Sequence, residues 1–159
     1  MTKEILTVGM SLLLALAFAT TTVPEAVAPG VAPTEEQTEQ VPEKRYYLTA
    51  DERELICEVV MAESGIEPYA GKIAVSQCIL NACEKTGKRP AEIVTEYGYT
   101  ARRVKPSAEV EKAVSAVFDD GETVTDAEIL YFYAPELVYS EWHETQTYIC
   151  TIGGHRFFA

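Results

Sequence analysis

Between Val59 and Pro68 the chain constrains its own fold more tightly than anywhere else. An apolar helical run ends on a carboxylate, Glu63, and Gly65 and Pro68 break the helix at once. A helix that cannot continue must turn, and the apolar segment beyond the break can pack back as a helical hairpin. Ile56, Val59, Val60 and Glu63 fall at i, i+3, i+4 and i+7, on one helix face. Most helices put Glu on the wet side. This one aims Glu63 where its apolar neighbours point, toward a core or a cleft. Desolvation and the negative end of the helix dipole both favour a protonated acid there. A carboxylic acid that keeps its proton is what general acid catalysis needs. The plainer reading is a Glu paired with Arg or Lys, or one reaching out to water at the helix end.

The chain has 159 residues. Lys3 precedes an apolar run from Ile5 to Ala19, closed by Ala17-Phe18-Ala19, so 1–19 reads as a secretory signal peptide. Glu4 offsets Lys3, and an uncleaved membrane anchor is the alternative. The run is short of the roughly 20 apolar residues a span needs. Residues 20–45 are rich in Pro, Thr, Ala, Val and Glu and lack a core-forming pattern, so they read as a disordered linker. One folded domain is left, 46–159, long enough for a modest core.

That domain carries 10 Lys and Arg against 19 Asp and Glu. Its negative surface argues against nucleic acid and against adhesion to anionic lipid. A polysaccharide read through neutral sugar faces stays open. An exported chain with four cysteines, Cys57, Cys78, Cys83 and Cys150, is compatible with two disulfides or with four buried thiols. Cys78 and Cys83 lie five apart on one helix and point different ways, which disfavours that pair; a helical hairpin turning near Ile66 would set Cys57 and Cys78 at similar heights, so Cys57–Cys78 with Cys83–Cys150 is the expected pairing. No C-x-x-C pair is present, and His143 and His155 are not in ligand spacing, so neither a metal nor a cofactor is expected.

Thr49-Ala50-Asp51-Glu52 is a capping box that starts a helix to about Ala62. A second helix runs from Tyr69 to about Cys83, its small residues Ala70, Gly71, Ala74 and Ser76 permitting close approach. Pro90 opens a short helix, and Ser107 caps a third long one to about Phe118. Ile129 to Tyr133 and Tyr148 to Ile152 read as strands, with Gly153-Gly154 as a turn. The class is α+β, mostly helical, with a short hairpin or small sheet.

Three segments then resemble the SleB/CwlJ-type cell-wall hydrolases, the spore-cortex-lytic family. Ala62-Glu63-Ser64-Gly65-Ile66-Glu67-Pro68 through Val75, with Ile79-Leu80-Asn81, is similar to that family's A-E-x-x-G-E-P-x-x-G-x-x-A-V…I-L-N-R, with Gly65 one place early. Ile129 to Tyr133 with Trp142 downstream resembles A-L-Y-F-Y-N…W, and Ile152-Gly153-Gly154-His155-Arg156-Phe157 resembles I-G-x-H-x-F. The resemblance covers about Ala50 to Phe158. It implies a small lysozyme-like fold and cleavage of peptidoglycan between N-acetylmuramic acid and N-acetylglucosamine, by lytic transglycosylation. Glu63 matches the family's catalytic acid/base. The sequence departs from the pattern at Cys83, where Arg is expected, and at Gly98-Tyr99, where Gln-Phe is usual.

A lytic transglycosylase needs one carboxyl group, since the muramic acid's own C6 hydroxyl is the nucleophile; a hydrolase usually needs two. Glu67 is the candidate second carboxylate, read first as structural near the start of the second helix. Glu58 is a weaker one. The aromatics Tyr97, Tyr99, Tyr131, Tyr133 and Trp142 are the supply of sugar platforms. Core packing is the competing use of Tyr131 and Phe132. Tyr99, Tyr133, Trp142 and His155 are the substrate-binding candidates, and Arg102 and Arg103 face either stem-peptide carboxylates or solvent. Two other classes remain: a cysteine peptidase built on Cys150 and His155, and a non-catalytic glycan-binding module. No protein partner is deducible, and a monomer is expected. The sequence leaves germination, wall turnover and lysis equally open as the biological setting.

Overall fold

The computed structural model describes residues 46–159; the signal-peptide and linker segments expected at 1–19 and 20–45 lie outside the described residues. The helix α1, Ala50–Ser64, begins at the capping box: the Glu52 amide donates to Thr49 Oγ1 at 3.3 Å, and the Thr49 amide donates back to Glu52 Oε2 at 2.9 Å. Ile56, Val59 and Val60 are fully buried on one face, so the periodic stripe is a core stripe. The turn at Gly65 to Pro68 then starts α2, Tyr69–Thr86.

The central element is α2. It is buried from Gly71 to Cys83 and packs against α1, the short α3 (Pro90–Glu96) and α4 (Ala108–Phe118). Gly87 ends α2 in the left-handed conformation, φ 70°, its amide donating to Cys83 O at 2.8 Å. Ser107 caps α4 through the Val110 amide. Arg53 on α1 meets Asp119 past the end of α4 at 2.7 Å.

The last third of the chain forms β1 (Tyr131–Tyr133), a one-turn helix α5 (Glu141–Glu144), β2 (Tyr148–Ile152) and β3 (His155–Phe158). The sheet is antiparallel in the order β1-β3-β2, with Tyr131 opposite Phe158 and Ile152 opposite His155. Two buried amides of α2 tie the sheet to the helices. Gln77 donates to Thr125 O at 2.9 Å and accepts from the Val124 amide at 3.0 Å, and Asn81 donates to Ile129 O at 2.9 Å. Removing either side chain would strand backbone groups, a cost of about 1–3 kcal/mol each where they are buried.

The architecture is the expected α+β class with a small sheet. Three expectations need correction. The segment 141–144, which carries no helix signal of its own between the two expected strands, is a turn of helix capped by Ser140. β1 starts at Tyr131 because Ile129 and Leu130 sink into the core ahead of it. The four cysteines are free thiols and not two disulfides. Arg53 and Glu111 act on Cys57, Cys83 meets the Tyr46 hydroxyl, and Cys150 acts on Cys78. Burial raises every one of them, Cys57 and Cys83 to about 11.

Candidate active site

Glu63 sits on the last turn of α1, one turn past buried Val59 and Val60. That register carries its carboxyl out of the core and into the wall of a cavity of about 570 Å³. Oε1 accepts the Thr100 amide at 2.6 Å. Oε2 has no hydrogen-bond partner among the described residues. One oxygen is therefore held and the other is left toward the cavity.

The amide that holds Glu63 is itself held. Tyr99 donates its amide to Val94 O at 3.1 Å, anchoring the loop to the end of α3. Arg103 donates to Thr100 O at 2.9 Å, while its Nε lies 3.9 Å from Glu58 Oε2, which precedes Glu63 on α1. Glu58 is thus engaged by the loop and does not line the cavity.

Aromatic rings form the facing wall. Tyr97 stacks on Tyr131 with centroids 5.6 Å apart and 18° between planes, and Trp142 sets its edge on Tyr131 at 4.9 Å. Tyr99 leans on Phe132 at 5.7 Å. Trp142 is 53% exposed, so its ring is available to a ligand. The rings offer faces suited to pyranose C–H surfaces, and Glu63, Glu96 and His143 supply the polar lining.

Of the four substrate-binding candidates, Tyr99 and Trp142 line the cavity and Tyr133 and His155 do not. Tyr133 is buried; its hydroxyl donates to Glu144 and its ring stacks on Phe158, which steadies α5 and so Trp142. His155 is buried behind the wall, edge-on to Phe132 at 5.3 Å. Burial lowers its pKa below 6.5, against the pull of Glu67 and Glu63, and its Nδ1 makes no hydrogen bond.

Glu67, the candidate second carboxylate, is turned elsewhere. Its Oε2 accepts the Gly154 amide at 2.8 Å and its Oε1 lies 3.5 Å from His155 Nδ1. A Cβ at Gly153 would overlap Glu67 Oε2, and Gly153 has φ 58°, so only glycine lets the β2–β3 turn close on this carboxylate. Lys72 donates to Glu67 O from the start of α2. Cys150, the peptidase alternative, has a burial-raised thiol, the wrong direction for a nucleophile.

Sequence reasoning missed Glu96 and His143 as lining residues. Glu96 closes α3 and pairs with Lys88; its placement depends on the fold of the loop after it. His143 follows Trp142 within α5, and the unexpected helical turn aims both at the same cavity. Among the described residues no group of three His, Cys, Asp or Glu side chains is placed to hold a metal ion.

The family model described as Cell Wall Hydrolase matches residues 66–158, the span from the α1–α2 turn to the end of β3. The chain belongs to this cell wall hydrolase family. It is an enzyme that cleaves the peptidoglycan of the cell wall. Two solved structures are similar to this chain. The catalytic domain of the Bacillus cereus SleB protein is 25% identical with a TM-score of 0.59, covering 71% of this chain and 93% of that one. The catalytic domain of the germination-specific lytic transglycosylase SleB from Bacillus anthracis is 25% identical with a TM-score of 0.57, covering 70% and 97%. Among curated proteins none matches the hydrolase.

Proposed function

We propose that residues 46–159 cut peptidoglycan glycan strands between N-acetylmuramic acid and N-acetylglucosamine as a lytic transglycosylase, with Glu63 as the single acid/base. One observation carries this reading: Glu63 meets the cavity with one oxygen held by the Thr100 amide, while Glu67 is bound up in the β2–β3 turn. Glu63 gives its proton to the glycosidic oxygen as the bond to the muramic acid C1 breaks. The C6 hydroxyl of the same sugar attacks C1, and the Glu63 carboxylate takes that hydroxyl's proton. The acid is regenerated and the product ends in a 1,6-anhydro ring. No second carboxylate and no positioned water are needed, since the nucleophile is already on the substrate. Tyr97, Tyr99, Tyr131 and Trp142 supply the faces on which the sugars lie.

The Bacillus anthracis relative is itself named a germination-specific lytic transglycosylase, which supports this outcome. Export directed by residues 1–19 would bring the enzyme to this substrate. A second reading has one observation behind it: Glu96 also lines the cavity and would serve a hydrolase as the other carboxylate. Mass spectrometry of digested peptidoglycan separates the two. Anhydro termini are expected; reducing termini would replace this reading with hydrolysis.

A further inference from the structure

Positive charge in this acidic domain is almost wholly spent in pairs. Of its 10 Lys and Arg, seven meet a carboxylate within 4 Å, and Lys112 lies over the Tyr69 ring at 5.5 Å. The two that remain, Arg102 and Lys105, are both exposed, and neither side chain has a partner among the described residues. They share one loop, and it is the loop that holds the catalytic carboxyl. The Arg102 amide donates to Thr100 Oγ1 at 3.1 Å, and the Thr100 amide donates to Glu63. Lys105 is five residues past Thr100, at most about 18 Å of extended chain. Between them Arg103 is fastened to Thr100 O and Glu58, so the free charges project from a pinned segment.

We propose that Arg102 and Lys105 bind the free carboxylates of the peptide stem carried by muramic acid, making strands with charged stems the preferred substrate. The inference rests on Glu63 being the glycan-cleaving centre. The stem leaves the muramic acid ring at C3, and the cleaved bond is at C1 of the same ring, so a ring seated at Glu63 sends its stem past the neighbouring loop. Stem peptides end in carboxylates and are anionic. The domain carries 19 Asp and Glu against 10 Lys and Arg, and its other cations are engaged, which favours this loop as their landing place. Arg102 offers a planar fork and Lys105 a point charge, both suited to carboxylates.

The test compares two substrates: purified peptidoglycan, and the same material with its stem carboxylates converted to amides by a water-soluble carbodiimide and ammonium. The full-length enzyme is expected to release soluble fragments from the charged material roughly threefold to tenfold faster, the range two exposed charge contacts supply. That preference should fade at high ionic strength. In the double variant Arg102→Gln, Lys105→Gln the ratio of the two rates is expected to fall to near one, with the charge-reversed pair Arg102→Glu, Lys105→Glu taking it below one. Lys85→Gln, near the C-terminal end of α2 and paired with Glu128, should keep the parental ratio. Equal rates for the parent on both substrates, or a preference that survives the double variant, would overturn the stem site and leave the cleavage reading standing. Release from neither substrate would take down both.

Discussion

Glu63 and Glu67 stand four residues apart on either side of one turn, and the structure gives them opposite surroundings. Glu63 has one backbone donor and a cavity in front of it. Glu67 has an 11% exposed side chain against Gly154 and His155, and sits under a glycine turn that fits nothing larger. The first carboxylate is poorly secured and accessible; the second is well secured and hidden. The first setting suits the acid/base role we propose for Glu63, and the second suits a carboxylate that holds the β2–β3 turn against the start of α2.

The sharpest way to break this comparison is a crossed pair of variants. Glu63→Gln is expected to lower the rate of fragment release by roughly a thousandfold, the scale of a lost general acid, with little change in melting temperature. Glu67→Ala is expected to do the reverse, costing about 1–3 kcal/mol in denaturant unfolding while keeping measurable activity. Inactivity of both variants with unchanged stability would show that Glu67 acts in the reaction.

Gly153→Ala attacks the same lock from the other side. The new methyl group overlaps the Glu67 carboxylate and the backbone is left-handed, so a loss of about 1–3 kcal/mol is expected by thermal unfolding. Trp142→Ala tests the facing wall. Because the ring is half exposed, stability should hardly change, while KM for glycan rises by roughly tenfold, about the worth of one lost aromatic contact.

The smallest effect is in pH. Burial holds the folded His155 below the ordinary 6.5, and His143 shifts the same way for the same reason. The unfolded chain takes up a proton near 6.5 that the folded one refuses, so stability falls as pH drops through that value. The slope between about pH 7 and about pH 5 should flatten in His155→Gln, by under about 1 kcal/mol.

Much of this is legible in the residues. The 3.6-residue stripe of Ile56, Val59 and Val60 reports helix and core together, and the caps Thr49, Ser107 and Pro90 mark starts that the structure places within a residue. Local chemistry writes such signals into the sequence. Sheet order is not local: that β3 lies between β1 and β2 depends on pairing across the chain, and alternation alone does not encode it. The fate of Tyr133 shows the same limit. Its aromatic ring suggests a platform, but the cross-strand partner Arg156 and the stacked Phe158 place it behind the wall. The cysteines mislead because an even count says nothing of distance, and each helical thiol faces a different seam.

The central place of β3 has a consequence for how the molecule becomes competent. Both outer strands pair with the segment His155–Phe158, so the backbone that carries Tyr131 and Phe132 is braced by the last residues of the described chain. An emerging chain therefore presents Glu63 well before the strand that backs the aromatic wall. Trimming a handful of residues from the carboxyl end should leave a helical body that cannot grip a sugar strand.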